Sequence, residues 1–412
     1  MRHVARVKGL LSATWISIGI ATRIRTRALS SVVDSRPGQG GKSKRECRRS
    51  WASLVPLTRA ARDEIRWWQR HLCTLNGLPI RPRPFDMTVD SSIFCDASDT
   101  GVGAFLSTDG HTGPASSLVN ALLAHAPPGT TVREVREHTR RGIEFAAPLP
   151  PSLRGASSTL RELFGVVNFI LLIRNLLRGG AHRVVLDNLG CVFILGGVVP
   201  PFAVGGKVWG EYVSGGSPNP DLQHLALQAF DAQLACGFSL QAVWVPRDLN
   251  VRADFLSHAA EYPDHGYSLH QALFQMLDEE WGPHTVDRFA TASNRLLPRF
   301  CSRFFHPDAM WTDALSVSWA GEVNWVFPPV ELAAPAISHL RRCHAAGTLV
   351  FHSVPGSAAL RLLRPCGRDW APDVVGVFRL GAARDCLRGS RPFRSLHSRG
   401  ELIAVHIDGR DP

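Results

Sequence analysis

The sequence predicts an α/β protein: a mixed sheet with flanking helices, followed by a smaller α/β unit. Three observations carry this. Two short apolar runs, Ile93-Phe94-Cys95 and Val184-Val185-Leu186, end in Asp96 and Asp187 and have the length of buried strands. A longer apolar run over 159–178 is of helical length and lies between them. The chain has 412 residues, too many for one ordinary core, so two or three domains are expected.

The elements follow in order. Residues 1–33 alternate apolar and basic positions. Residues 34–50, with Gly-Gln-Gly-Gly and Lys-Ser-Lys-Arg, predict a flexible loop. Residues 57–75 predict an amphipathic helix, with Ile65, Trp68 and Leu72 on one side and Arg62, Glu64 and Arg66 on the other. Two strands joined by a Gly-rich turn are expected over 88–107. The Pro-, Gly- and Ser-rich stretch 108–157 predicts one more strand near 143–146 and otherwise an insertion. In the helix over 159–178, Thr159 has the position of an N-cap and Glu162 stands three residues later, the spacing of a capping box. A strand over 182–186, an irregular loop over 198–220, a helix over 221–236, a strand over 239–245 and a helix starting at 251 complete this part.

Near residue 262 a second unit begins. A helix over 269–279 and strands over 285–289, 323–327 and 348–351 are expected, with a helix over 332–344 after the break at Pro328-Pro329. Strand–helix–strand order predicts a parallel βαβ unit. Residues 366–412 are rich in Arg and Gly and weakly periodic, which predicts a poorly ordered tail.

Charge is unevenly placed. Residues 1–60 hold thirteen Lys and Arg against Asp34 and Glu46, which is the whole net excess of +11; the remainder balances at 33 of each sign. A local basic arm is what a phosphate-binding surface needs. A solvated tail and an Arg-rich, acid-free transit peptide are the competing readings. Apolar content of 45% indicates a globular chain, and no apolar run reaches the roughly 18 residues of a membrane span. Nine scattered cysteines lack any C-x-x-C pair, which argues against disulfide and structural zinc frameworks and favours a reducing, cytoplasmic or nuclear compartment.

Four carboxylates stand out: Asp96 and Asp187 at strand ends, Glu162 and Asp254 at helix starts. Each has a plain structural explanation alone, as a turn, capping or helix-start residue. Together they can converge at one sheet edge, where like charges cannot all stay ionised without a cation. Two Mg²⁺ ions would satisfy the cluster and are suited to in-line attack on a phosphodiester.

The stretches Cys-Asp-Ala-Ser-x-x-Gly-x-Gly-Ala at 95–104, Ser-Ser-Thr-Leu-Arg-Glu-Leu at 157–163, Leu-Asp-Asn at 186–188 and Asn-x-x-Ala-Asp-x-Leu-Ser at 250–257 resemble a retroelement RNase H domain. The order is similar to that of the reverse transcriptase–RNase H polyprotein of DIRS-type, tyrosine-recombinase retrotransposons, over roughly residues 1–365. That resemblance implies four parts: a basic reverse-transcriptase C-terminal or connection remnant over 1–85, an RNase H-like domain over 86–260, a Rossmann-like methyltransferase-like domain over 261–365 and the tail over 366–412. The polymerase's paired metal-binding aspartates are absent from the sequence, so a truncated element or gene fragment is expected. The resemblance also implies catalytic and metal-binding roles for Asp96, Glu162, Asp187 and Asp254, with Asp96 bridging both ions. Ser98, Asn188, Asn250, Arg45, Arg48 and Arg49 are expected to contact nucleic acid. An RNA–DNA hybrid is the expected partner, with no membrane and no small-molecule substrate. The alternative is a folded relic that binds nucleic acid without cutting it.

Two departures temper this. Many RNase H enzymes carry a histidine before the last aspartate, and residues 240–253 contain none; His258 follows it instead. The second unit resembles an adenine-methyltransferase-like domain through Val286-Asp287-Arg288-Phe289-Ala290 and Val323-Asn324-Trp325-Val326-Phe327-Pro328-Pro329. Active relatives have a polar residue before the two prolines and an aromatic after them. Phe327 and Val330 stand there, so no methyl transfer is expected, and Trp311, Trp319 and Trp325 are expected in the core.

Overall fold

The computed structural model describes residues 1–14, 21–35, 50–75, 89–108, 116–127, 129–197, 215–259, 266–367, 369–389 and 400–410. It divides into two compact units: residues 1–118 with 147–258, and residues 119–146 with 259–412.

Among the described residues the first unit opens with four helices, α1 (Arg2–Ala13), α2 (Ala21–Ile24), α3 (Arg27–Asp34) and α4 (Arg59–Leu75). Helix α4 is the one the sequence predicts, but it buries a different face. Glu64 is buried and Leu72 is 40% exposed. The reason is that α3 begins without a side-chain cap of its own. The Glu64 carboxylate accepts from the backbone N–H groups of Ala28 and Leu29, both at 2.8 Å, and satisfies two of its orphan donors. Trp67 and Trp68 pack with Ala21, Ile24 and Phe230, and the Trp68 indole donates to the Arg25 carbonyl at 2.8 Å. Arg25 lies 4.7 Å over the Trp67 ring and pairs with Asp231. The part of the basic arm that is described therefore folds onto the first unit. The remainder, with Arg45, Arg48 and Arg49, lies outside the described residues.

The sheet of this unit is built from β1 (Ser91–Ala97), β2 (Gly101–Ser107), β4 (Ala181–Leu186) and β5 (Ser239–Trp244), in the order β2-β1-β4-β5; β3 (Ile143–Pro148) falls mostly among the residues of the second unit. β1 runs antiparallel to β2 and parallel to β4, and β4 runs parallel to β5. Between β2 and β3 in sequence stand α5 (Ser116–His125) and α6 (Val132–Arg141), in the stretch expected as an insertion; all of α6 and most of α5 belong to the second unit. A complete capping box, Thr131 with Glu134, starts α6. Helix α7 (Ser158–Ile173) covers β1 and β2; α8 (Leu189–Ile194) and α9 (Pro220–Cys236) pack beside it, and α10 (Val251–His258) also lies against β1 and β2.

Two glycines allow this close layering. A Cβ on Gly103 would sit 2.2 Å from the Ser257 backbone nitrogen, so only glycine lets α10 rest on β2. A Cβ on Gly165 would meet the Val102 side chain at 2.5 Å, so α7 settles onto the sheet at that point.

The second unit contains α11 (Gln271–Trp281) between short strands β6 (Tyr267–Leu269) and β7 (Val286–Asp287), a parallel pair β8 (Cys301–Ser302) and β9 (Trp311–Thr312), and then β10 (Val323–Val326), α12 (Ala333–Arg342), β11 (Ala346–His352) and α13 (Ala358–Leu363). β10 and β11 are parallel around α12, as the sequence predicts. Trp311, Trp319 and Trp325 are core residues, 5%, 0% and 1% exposed.

The C-terminal stretch corrects an expectation. Residues 366–412 contribute β12 (Val374–Ala382), β13 (Leu387–Gly389) and β14 (Glu401–Asp408). The second sheet has the order β12-β14-β11-β10-β7, with β14 antiparallel to both neighbours. Leu402, Ile403, Ala404 and Val405 are buried because β14 lies inside the sheet, while β12, at its edge, alternates partly buried and exposed positions. The fold class expected from the sequence, a mixed sheet with flanking helices followed by a second α/β unit, is the one observed.

Gly103→Ala is expected to destabilise the first unit by about 1–3 kcal/mol, the usual range for overpacking, because the obstacle at 2.2 Å is backbone and cannot rotate away. Chemical denaturation of the wild type and the variant measures this.

Candidate metal centre

Asp96 is the sixth residue of β1 and lies opposite Gly103 in the antiparallel register, 5% exposed. Asp187 follows the last residue of β4, the parallel neighbour of β1. Adjacent strands thus place two acids at one edge of the sheet. The Trp244 indole donates to the Asp187 carbonyl at 2.8 Å and fixes the chain as it leaves β4.

Glu162 comes from α7, and here the sequence expectation is corrected. The N-cap is Ser157, whose hydroxyl accepts from the Leu160 N–H at 3.3 Å, not Thr159. Glu162 is therefore too far into the helix to close a capping box. Its side chain turns inward, 8% exposed, and one carboxylate oxygen accepts from the Asn188 amide at 3.1 Å.

The ligand atoms of Asp96, Glu162 and Asp187 all lie within 4.8 Å of one another. Burial is the first cause that raises all three carboxyls above the usual range, and mutual repulsion adds to it. Glu162 is pushed up to about 8. Asn188 offsets part of that shift, and the exposed Arg247 offsets part of the shifts of Asp96 and Asp187. The floor gives no help: Cys95 and Cys191 are fully buried, and burial together with the neighbouring carboxylates holds both thiols neutral.

Asp254, the fourth acid, is not in this donor set. It stands near enough to raise Asp96 and Asp187, but one of its oxygens accepts from the Arg247 guanidinium at 2.6 Å. All four acids are thus neighbours, and three share a common point. Arg247 was not anticipated from sequence. It stands seven positions before Asp254, and only the turn over Arg247–Leu249 brings the two together.

Three of the residues expected to contact nucleic acid also bond within the protein. Asn250 is 1% exposed and donates to the Cys95 carbonyl at 3.0 Å, which ties the α10 entry to β1. Asn188 caps α8 by accepting from Cys191 N–H, besides its donation to Glu162. The Ser98 hydroxyl donates to the Ser257 carbonyl at 2.9 Å and accepts from the Gly101 N–H at 3.0 Å. These bonds brace the chain around the acids, and the buried Asn250 side-chain oxygen has no hydrogen-bond partner. Ser257, the last residue of the 250–257 motif, donates to Asp96 at 3.4 Å.

The donor set suits a hard divalent cation. It is all oxygen, and one buried oxygen of Glu162 and one of Asp187 have no hydrogen-bond partner. Buried acceptors without donors are costly, and a cation would satisfy both.

Comparison with solved structures finds similar chains. One is the N-terminal RNase H domain of a Mycobacterium tuberculosis protein, solved as a fusion with maltose-binding protein: 19% identity over 42% of this chain and 93% of that one, with a TM-score of 0.25. Another is RNase H1 from the halophilic archaeon Halobacterium salinarum, 17% identical over 42% of this chain and 97% of that one, also with a TM-score of 0.25. No family model and no curated protein matches the chain.

The raised Glu162 carboxyl predicts a pH signature. Its folded-state value, about 8, exceeds the ordinary glutamate value of 4.5, so the folded state holds the extra proton. The stability this group contributes is complete below about pH 4.5 and is lost as pH rises through 8. The melting temperature of chelator-treated protein should therefore fall across that window. Glu162→Gln should flatten the fall, and Mg²⁺ should restore stability most at the alkaline end. Thermal melts at several pH values, with and without the ion, check all three.

Proposed function

We propose that this chain is a metal-dependent nuclease that cuts the RNA strand of RNA–DNA hybrids, and that it derives from a retrotransposon polyprotein of the DIRS type. The observation that carries the first part is the meeting of Asp96, Glu162 and Asp187 within 4.8 Å, with buried oxygens left unsatisfied. The four motifs around these acids, in order, support the second part.

In this reading Asp96, Glu162 and Asp187 would hold Mg²⁺, with Asp254 available for a second ion. Mg²⁺ held there would supply an activated water and charge stabilisation for the leaving oxygen of an in-line displacement. The protein's own contribution is rigidity. Asn188 orients Glu162, Asn250 locks the start of α10 to β1, and Ser257 touches Asp96. RNA is distinguished from DNA by contacts to its 2′-hydroxyl groups.

Phosphate contacts come from the surface of the same unit. Arg62, Arg66 and Arg70 are exposed and four residues apart on α4, so they share a helix face. Such a row reads backbone charge without reading sequence. The second unit is read as non-catalytic: Phe327 packs against its core, and Val330 has no group for base recognition.

The decisive assay is cleavage of an end-labelled RNA strand annealed to DNA. Wild-type protein should cut it with Mg²⁺ and fail with chelator. Asp96→Asn should lower the rate by roughly a thousandfold, a loss of about 4 kcal/mol of transition-state stabilisation, while leaving the fold intact. Absence of Mg²⁺-dependent cutting by the wild type would leave the non-catalytic binding relic as the reading.

Binding supplies a separate measurement. Replacing Arg62, Arg66 and Arg70 with Ala should flatten the plot of log affinity against log salt by about 0.7–0.9 for each phosphate group that is no longer neutralised. An unchanged slope would mean that α4 presents a merely solvated face.

A further inference from the structure

The turn ahead of α10 brings a guanidinium to the one acid that the trio leaves out. Arg247 Nη2 donates to Asp254 Oδ1 at 2.6 Å. The Arg247 side chain is 74% exposed and that of Asp254 33% exposed, so the arginine is tethered at its tip and otherwise lies in water. Its backbone is held: the Asn250 N–H donates to the Arg247 carbonyl at 2.9 Å, and buried Asn250 is itself bonded to β1. The side chain can swing away while the turn stays in place.

Other arginines near the cluster are engaged elsewhere. Arg161 donates to the Ser98 carbonyl at 3.1 Å and pairs with Asp99, and Arg252 stacks 4.5 Å from the centre of the Phe105 ring. Glu162 shows that the trio itself is prepared for a ligand, because its second oxygen is buried without a partner in a side chain only 8% exposed.

Charge decides how the parts can be occupied. One divalent ion and the guanidinium together leave the four ionised carboxylates one charge short of neutral. Two divalent ions neutralise them alone. Two ions with the guanidinium still in place would overshoot, with cations crowded against each other.

We propose that Arg247 is a resident cation that holds Asp254 apart from the Asp96–Glu162–Asp187 trio, so that a first divalent ion binds the trio and a second binds only when Arg247 releases Asp254. The inference rests on the metal-site reading above and adds an order to it. Arg247 is thus a positioning residue that sets metal stoichiometry. An exposed pair of this kind is weak enough for a divalent ion to displace.

The test is metal binding itself, measured on the full chain with Mn²⁺ by calorimetry and by electron paramagnetic resonance counting of bound ions. Wild-type protein should show two separated steps. Arg247→Ala should leave the first step in place and tighten the second by about fivefold, the scale of a removed exposed ion pair. Arg247→Lys, which keeps the charge, should stay near the wild type. Melting curves of the variants exclude a folding defect, which is not expected at an exposed side chain. If wild type and Arg247→Ala bind with the same affinities and stoichiometry, or if the alanine variant loses the first ion, the proposed role is wrong. If the wild type binds no divalent ion at all, the metal-site reading falls first and the ordering falls with it.

Discussion

Repulsion among acids that the fold forces together is the constraint from which the rest of the first unit follows. Two strand ends and one helix deliver Asp96, Asp187 and Glu162 to a space less than 5 Å across, and the thiols of Cys95 and Cys191 below them give no compensating charge. Burial and proximity both favour the protonated forms. A protein gains nothing in stability from such an arrangement, so the surrounding structure has to hold it. Gly103 lets α10 close on β2, Asn250 ties that helix to β1, and Asn188 spends one hydrogen bond on α8 and another on Glu162. Functional sites are where strain and perturbed acids of this kind concentrate.

The fourth acid shows a different solution to the same repulsion. Asp254 lies at the solvent side of the cluster, where a flexible arginine can reach it from a turn in its own approach segment. Deep acids can be relieved by a proton or a metal ion. A shallow acid can be relieved by a side chain that water is free to release. The cluster therefore has an interior of fixed donors and a rim that can be rearranged at small cost.

The amino-terminal helices extend the same logic of satisfied charge. Glu64 is buried because α3 offers it two bare N–H groups, and Arg25 reaches the surface of α9 across a tryptophan ring. Through these contacts a chain segment of high positive charge becomes part of the unit that carries the acids. Its exposed arginines on α4 then form one face of that unit.

Much of this was legible in the sequence. Apolar runs closed by Asp gave β1 and β4 with their acids, and a long apolar period gave α7, because strand and helix periodicities are local properties. The βαβ step from β10 to β11 was legible for the same reason. The α6 capping box, Thr131 with Glu134, was present in the sequence but was outweighed by surrounding Pro and Gly. The Leu402–Ile407 run of β14 was likewise outweighed by Arg and Gly, although a central strand needs only a short apolar stretch once neighbours exist to bury it. What the tertiary structure alone decided was partnership. Only packing turned Glu64 inward, made Asn188 and Asn250 internal supports, and put Arg247 on Asp254. Those outcomes depend on which groups a folded chain brings within a few ångströms, a long-range property that no local pattern in the sequence encodes.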